Sequence, residues 1–304
     1  PQREIARLDL MAEVARRYLA ITAARGQRRI ALDDIEQRRR AVAAARLRLQ
    51  AGASPASTLM TAQAALAQAE LDRDRANEAG RAARLALAAL WSAREADFTE
   101  VSGDPLRLPA LQDFQQLAAL LADTPELAVI AGETRVREAQ LQLARSQLRS
   151  DLSWQLGVRN NRDSNDTALV GGFSLPLGSA RRAGPEIRAA QAELAMSALE
   201  RESRALQLYA TLAEAHGRYG TARLEVARMD SDVLPQLQRA EKAAETAWRA
   251  GAISYLEWAQ LQAMRIEARQ RQLDAALAAQ TALIEIQRLT GQPLVATASE
   301  GNTP

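Results

Sequence analysis

The chain has 304 residues and no cysteine, which excludes disulfides, thiolate metal sites and cysteine nucleophiles. Only 4% of it is aromatic although 47% is hydrophobic, so alanine and leucine supply most of the apolar surface. This composition favours close packing between helices over a bulky globular core. The sequence contains no run of about 18 apolar residues and therefore predicts no transmembrane helix, which leaves a membrane role open.

Neither positive nor negative charge predominates in the chain. The formal net charge is +2, and the charged residues, 25% of the chain, are well mixed along it. The densest basic stretch, Arg25 to Arg40, is interrupted by Asp33, Asp34 and Glu36. We expect such a stretch to be a solvated helix face. The sequence therefore predicts no nucleic-acid binding.

Groups that could perform chemistry are few. The single histidine, His216, lies at helical spacing from Tyr209, Leu212 and Tyr219, so we predict that it packs in a core. The five methionines are scattered and form no cluster with it. The sequence therefore predicts no enzyme activity, no cofactor and no metal site.

The chain contains the same arrangement twice: a long helix, a glycine-centred turn and a second long helix. The first turn reads RLRLQAGASPASTL at residues 46–59, and the second reads AWRAGAISYL at 247–256. The upstream segments correspond as well, since Met11–Tyr18 matches Leu212–Tyr219 almost in register. Apolar residues recur at spacings of three and four, as in a coiled-coil seam. A duplication of this kind predicts a tube or scaffold rather than a catalytic pocket.

Turn signals divide the chain into six segments. Val101–Pro105 and Leu108–Pro109 interrupt the helical pattern, and Thr124–Glu126 has the cap and proline of a new helix. A further helix is predicted from Gly184, with a kink at Leu234–Pro235. The predicted segments are a first helical hairpin at 1–96, an irregular linker with a short helix at 97–123, a helix at 124–150, a β-hairpin at 151–178, a second helical hairpin at 179–291 and a disordered tail at 292–304.

The predicted β-hairpin has the alternation of a membrane-crossing strand pair. Each run is about nine to eleven residues, enough to cross a bilayer at a tilt of ~45°. We predict that four residues face lipid: Leu152, Trp154, Leu156 and Phe173. The alternative is a half-buried hairpin on a soluble sheet, but no other strands are predicted that it could join. Its edges would need partners from another copy of the chain.

The order of these elements resembles the TolC-like outer membrane factor family, the exit ducts of Gram-negative tripartite efflux pumps and type I secretion systems. The resemblance covers residues 4–293 and includes FSLPL at 173–177 and LTG at 289–291. The sequence around Leu234–Pro235 and GAISYLE at 251–257 resembles the cation-efflux (cobalt–zinc–cadmium resistance) branch. The resemblance implies a mainly α fold, with duplicated long antiparallel coiled-coil helical hairpins (an α-barrel protomer) and one transmembrane-type β-hairpin.

The resemblance also implies an assembly and a location. It implies a homotrimer in the outer membrane and periplasm, whose strands close one β-barrel in contact with outer membrane lipid. The implied partners are a periplasmic adaptor protein and an inner-membrane pump of the RND type. Family members supply four strands per protomer and this chain supplies two, so we expect it to be amino-terminally truncated. The implied function is a passive conduit that opens when the adaptor and pump engage its periplasmic tips.

The resemblance places candidate functional residues at the two turns. It implies an adaptor-contacting group of residues: Gly52, Ala53, Ser54, Leu59, Gly251, Ala252, Ser254 and Leu256. It also implies a tunnel constriction at Glu257, Gln260 and Trp248, because Glu257 matches the position of a constricting acidic ring in TolC. The alternatives are that Glu257 is only an exposed helix residue and that Trp248 only packs against neighbouring side chains.

Two other classes of protein remain as alternatives. A periplasmic adaptor (membrane fusion) protein also carries a long helical hairpin, but it carries one rather than two. A cytosolic coiled-coil scaffold would have two hairpins, but the alternating ribbon between residues 152 and 175 would have no purpose in it.

Overall fold

The computed structural model describes residues 1–99, 101–148, 152–161, 166–174 and 179–293. Within these ranges the chain is mainly helical. Its helices and strands are α1 (Gln2–Gln50), α2 (Ala56–Ala88), α3 (Phe114–Ala119), α4 (Pro125–Ser146), β1 (Ser153–Asn161), β2 (Asp166–Ser174), α5 (Ser179–Arg228), α6 (Leu234–Arg249) and α7 (Tyr255–Thr290). The described residues also form two short 3-10 helices, at Ala89–Trp91 and Leu120–Asp123, and a π-helical turn at Met229–Val233.

The chain divides into two compact units. One comprises residues 122–208 with the first three residues, and contains α4, the strands and the first part of α5. The other comprises residues 4–121 and the segment from 209 onward, and contains both glycine-centred turns. The candidate sites at the turns therefore belong to a single unit.

Helix α1 packs against α2 and α7 through small side chains. Its 49 residues extend over roughly 74 Å at ~1.5 Å per residue. Ala12, Ala41 and Ala45 are completely buried. A Cβ atom added at Gly26 would lie 2.9 Å from the Cδ atoms of Leu273 on α7, so glycine permits this approach. The small side chains of this alanine-rich chain thus allow its helices to pack closely.

Ion pairs at the surface join α1 to α7. Distances are 3.3 Å from Arg16 to Glu285 and 2.6 Å from Arg288 to Asp9. Exposed pairs of this kind contribute about 0–1 kcal/mol each. They favour this helix pairing, while the buried small residues supply most of the stabilisation.

Helices α5 and α6 form one helical run that the π-helical turn interrupts. The turn immediately precedes Pro235, which lies in the first turn of α6. Proline has no N–H to donate and clashes with the carbonyl four residues earlier, so a widened turn accommodates it. The predicted start of α5 at Gly184 is wrong, because the helix begins at Ser179 and includes Pro185. Pro185 removes one backbone hydrogen bond and crowds the carbonyl four residues earlier, and the helix nevertheless continues through it.

Side chains of the long helices hold the irregular linker between α2 and α3. The Tyr18 hydroxyl donates to the Ser102 carbonyl, and the Tyr219 hydroxyl donates to the Pro109 carbonyl. These tyrosines are equivalent in the two repeats. Burial raises the pKa of the Tyr219 hydroxyl, which therefore stays protonated and able to donate. The helices thus satisfy backbone carbonyls that have no partner in regular secondary structure.

Strands β1 and β2 form an antiparallel hairpin with one apolar face. Trp154 pairs with Phe173, and Val158 pairs with Leu169. These side chains are exposed, at 76% for Trp154 and 81% for Phe173. The hairpin ending predicted at 175–177 and the tail beyond residue 293 lie outside the described residues. In the part of the chain that the structure describes, no helix is both long and apolar enough to cross a membrane.

Candidate functional site

The two turns have the same backbone structure. In the first, the Ala53 amide donates to the Arg48 carbonyl at 2.9 Å. In the second, the Ala252 amide donates to the Ala247 carbonyl, also at 2.9 Å. Each glycine amide bonds to the carbonyl three residues earlier as well, which completes a Schellman motif. The glycine φ angles are +68° at Gly52 and +79° at Gly251, a conformation in which other residues are strained.

The helices that follow the turns begin differently. Helix α2 begins after Pro55, whose side chain makes no capping hydrogen bond. Helix α7 begins after Ser254, whose hydroxyl accepts a hydrogen bond from the Glu257 amide at 3.3 Å. The Glu257 carboxylate accepts in return from the Ser254 amide at 2.8 Å, which makes a capping box. Glu257 is exposed, and the structure gives its carboxylate this local role.

An aromatic cluster fills the interior behind the second turn. Trp248 stacks on Trp258 with ring centroids 4.7 Å apart, and Tyr255 meets both rings edge to face. Trp248 is 3% exposed. The ring of Trp248 is enclosed by side chains of its own chain. The structure therefore agrees with the alternative in which Trp248 packs. The first hairpin contributes small and aliphatic side chains to this same cluster, such as Leu59 and Ala62.

Arg48 connects the two turns. Its guanidinium donates to the carbonyl of Trp248 and lies 5.3 Å from the centroid of the Trp248 ring. The same guanidinium lies at hydrogen-bonding distance, 3.5 Å, from the Ala53 carbonyl of its own turn. One side chain from the first repeat therefore satisfies the C-terminal end of a helix in the second, where a cation is also favoured by the helix dipole.

A buried polar layer lies next to the aromatic cluster. Arg38 donates to Asp34 and to Gln262, both at 3.1 Å, and Arg265 pairs with Glu241. All five side chains are buried. The expectation of a solvated face between residues 25 and 40 is therefore wrong for Asp34 and Arg38. Charge runs are usually solvated, and only the positions of α6 and α7 reveal that these two residues face inward.

Burial determines the ionisation of this layer. It raises the pKa of the Asp34 carboxyl, and the Arg38 guanidinium partly opposes that shift. Burial also raises the pKa of the Tyr255 hydroxyl. Among the described residues, no three His, Cys, Asp or Glu side chains are grouped so that they could hold a metal ion. The arrangement is that of a packed interior and not of a catalytic centre.

The other predicted tip residues lie at the surface. Leu59 and Ser54 are half-buried, whereas the remaining small residues of both turns are exposed. Leu256 is exposed beside Glu257, and Gln260 lies one turn further along α7 and is also exposed. The single histidine, His216, is half-buried and packs edge to face against Phe114 at 5.5 Å.

Comparison with solved structures shows which fold the chain has. The structure is similar to a membrane protein from Pseudomonas aeruginosa, with a TM-score of 0.79 and 20% identity over 95% of this chain and 69% of that one. It is similar to the outer-membrane channel OprN, with a TM-score of 0.79 and 19% identity over 95% of this chain and 67% of that one. The fold is that of the TolC-like outer membrane efflux channels, as the resemblance in sequence implied.

One curated protein is similar to the chain in sequence. The chain is 26% identical over 284 residues to the cobalt–zinc–cadmium resistance protein CzcC of Cupriavidus metallidurans. The matched residues make up 93% of this chain and 68% of the relative. The channel protein CusC is a further structural relative, with a TM-score of 0.78 and 19% identity over 94% of this chain and 69% of that one. No protein-family model matches the chain. OprN and CusC are channel proteins and not enzymes.

Proposed function

We propose that this chain is a subunit of the outer membrane channel of a Gram-negative tripartite efflux system. The observation that carries the proposal is the match to channel structures over 95% of the chain, at TM-scores of 0.79. That match includes the two equivalent turns and the strand pair. The channel is a passive conduit, and none of the comparisons supports the adaptor alternative.

The proposed assembly is a homotrimer in which α2 of one copy packs against α5 of the next. Met60 and Leu71 on α2 are exposed, and they fall on a face that repeats every three or four residues. On α5, small residues form a matching exposed face: Ala210, Ala213, Gly217 and Gly220. Added Cβ atoms at Gly217 and Gly220 would meet nothing within 4 Å, so these positions are free for a partner helix. A contact between two different faces closes a ring when its rotation is threefold.

The proposed partners are a periplasmic adaptor, which docks at the turns, and an inner-membrane pump. The exposed Ala53, Ala252 and Ser254 allow a partner helix to approach the backbone closely. Adaptor binding would favour an open arrangement of the tips by binding it more tightly than the closed one. In the trimer, three copies of Glu257 would form a ring that favours cations.

The proposed cargo is a divalent transition-metal cation. The support is the relative CzcC, which is named for resistance to cobalt, zinc and cadmium. The chain needs no metal-binding cluster for this role, because a conduit binds its cargo weakly.

Engineered cysteines test the assembly, since the chain has none of its own. A variant carrying Leu85→Cys, at an exposed position of α2, and Gly217→Cys should give disulfide-linked dimers and trimers in isolated outer membranes, because the two residues lie about equally far from their glycine turns. A matched variant carrying Leu85→Cys and Arg135→Cys, with the second cysteine on α4, should remain monomeric on gels. Monomers in both variants would exclude the α2–α5 contact, and recovery solely in the cytosol would exclude the channel.

Replacing Gly251 with tryptophan tests the role of the turns. The variant should lose tolerance to cobalt, zinc and cadmium in a host that depends on this channel, while it still reaches the outer membrane as a trimer. The matched control is Gly132→Trp, because a Cβ atom at Gly132 meets nothing within 4 Å and this glycine lies far along the chain from either turn. Normal metal tolerance of a correctly assembled Gly251→Trp channel would remove the turns from the mechanism.

A further inference from the structure

A groove between α1 and α2 is surrounded by arginines. Its volume is about 240 Å³, and it lies beside the linker at Thr99 and Val101. Arg25 and Arg28 project into it from α1, and Arg81 and Arg84 from α2. Each pair is three residues apart and therefore shares one face of its helix. Four guanidinium groups thus converge on one groove from two helices.

Three of these four arginines have no ion pair with an acid of the described residues. None of the described residues that line the groove is an aspartate or glutamate. Arg25 is oriented by the carbonyls of Val101 and Gly103. Arg81 has one exposed ion pair, with Glu78 at 3.4 Å. Within the described part of the chain, Arg28 and Arg84 have no hydrogen bond or ion pair, so their full donor capacity is available.

The floor of the groove is apolar. Ile21, Ala24 and Ala76 line it and are buried. Gly80 lies among them, and an added Cβ atom there would be 3.5 Å from the Ala24 side chain, so α1 and α2 are in contact beneath the groove. An apolar floor adds no binding free energy for an inorganic anion. A short hydrocarbon chain, in contrast, gains binding free energy when its apolar surface is buried there.

We propose that this groove binds a small carboxylate with a short apolar chain. Guanidinium groups pair with carboxylates through two parallel hydrogen bonds, and Arg28 and Arg84 are the groups free to do so. The groove, at about 240 Å³, has room for a small ligand such as a six-carbon carboxylate. The ligand bridges α1 and α2 and is distinct from the exported cation.

Saturation-transfer NMR with hexanoate on the full chain tests the proposal. We expect saturable binding with a Kd of the order of 1 mM, weakened at about 1 M salt because screening is then strong. The double variant Arg28→Gln with Arg84→Gln should weaken binding at least about tenfold, since it removes the charge-assisted hydrogen bonds. The matched control is Arg135→Gln with Arg239→Gln, two exposed arginines on other helices, which changes net charge equally and should stay within about twofold.

Two further probes separate the parts of the proposal. Hexanol keeps the chain without the charge, and inorganic phosphate keeps charge without the chain, so both should bind more weakly than hexanoate. Unchanged hexanoate binding in the Arg28/Arg84 variant, or an equal loss in the control variant, would overturn the site. Phosphate binding as tight as hexanoate would overturn the apolar component.

Discussion

The two turns have the same backbone structure, but the two hairpins contribute different side chains to the core cluster that they share. Both end a helix with the same hydrogen bonds around a glycine of positive φ. Trp258 lies seven residues after the second glycine, and Leu59 lies at the equivalent position after the first. The second turn is therefore supported by stacked aromatic rings and a capping box, and the first by aliphatic contacts and a proline.

This difference indicates that the two hairpins have different local stability. Local opening depends on how much buried contact and hydrogen bonding an element loses when it opens. Opening of the second turn would take the rings of Trp248 and Trp258 out of the shared cluster, whereas opening of the first would remove only the smaller side chains, such as Leu59, that pack in it. We infer that the first turn opens more readily, and that Arg48 couples it to the second. Hydrogen exchange at the two turns measures this directly.

The largest expected effect is that of Trp258→Ala. Removing a buried tryptophan costs about 3–5 kcal/mol, so the opening free energy of the second turn should fall by that amount in hydrogen-exchange measurements. The matched change Leu59→Ala should cost only about 1 kcal/mol at the first turn, because Leu59 is half-buried. Equal losses would show that the two interiors contribute alike, contrary to the comparison.

The glycines should respond equally. Gly52→Ala and Gly251→Ala each place a side chain at positive φ, which costs about 1–2 kcal/mol. Thermal unfolding of the two variants should give similar decreases in midpoint. Gly132→Ala, inside α4, should instead raise the midpoint, because alanine is the better helix former there. A neutral result at either turn would mean that its Schellman geometry is not required.

Ser254→Ala should have a smaller effect, limited to the second turn. Loss of the capping hydrogen bond from the Glu257 amide costs about 1 kcal/mol, while the amide of residue 254 still donates to the Glu257 carboxylate. Ser57→Ala, an exposed serine in α2, serves as control and should change stability by less than about 0.5 kcal/mol. Hydrogen exchange of the amides in the first turn of α7 measures this loss of stability. If both variants behave alike, the capping box does not stabilise the turn.

The smallest effect is a pH dependence from Asp34. Its pKa is raised in the folded chain, chiefly by burial, and Arg38 offsets part of that rise. The protonated form therefore stabilises the fold, fully below the ordinary value of 3.8, and this contribution is lost as pH rises through the folded pKa. Asp34→Asn should flatten the stability profile in that window, and Asp274→Asn, at an exposed aspartate of α7 with no ion pair among the described residues, serves as the control. A wild-type profile without this decline would contradict the raised pKa.

Periodicity predicted the long helices and glycine predicted the turns, because both depend on local sequence. The helix beginning at Ser179 was missed, since Gly184–Pro185 is a strong local start signal that the longer helix overrides. Burial of Asp34 and Arg38 was also missed, because a charge pattern on α1 says nothing about which face meets α7. The predicted tip contacts and the constriction at Glu257 and Gln260 stay predictions.

The sequence alone determined the duplicated hairpins, the two glycine turns and the alternating strand pair, because helical spacing, positive φ and strand alternation are local properties. Only the tertiary structure decided that Trp248 packs inward, that Arg48 joins the turns and that Arg38 is buried. Each of these depends on side chains about 200 residues apart in the chain, such as Arg48 and Trp248, whose separation is 200. Such contacts form when packing of long helices brings distant segments together, and no local pattern encodes them.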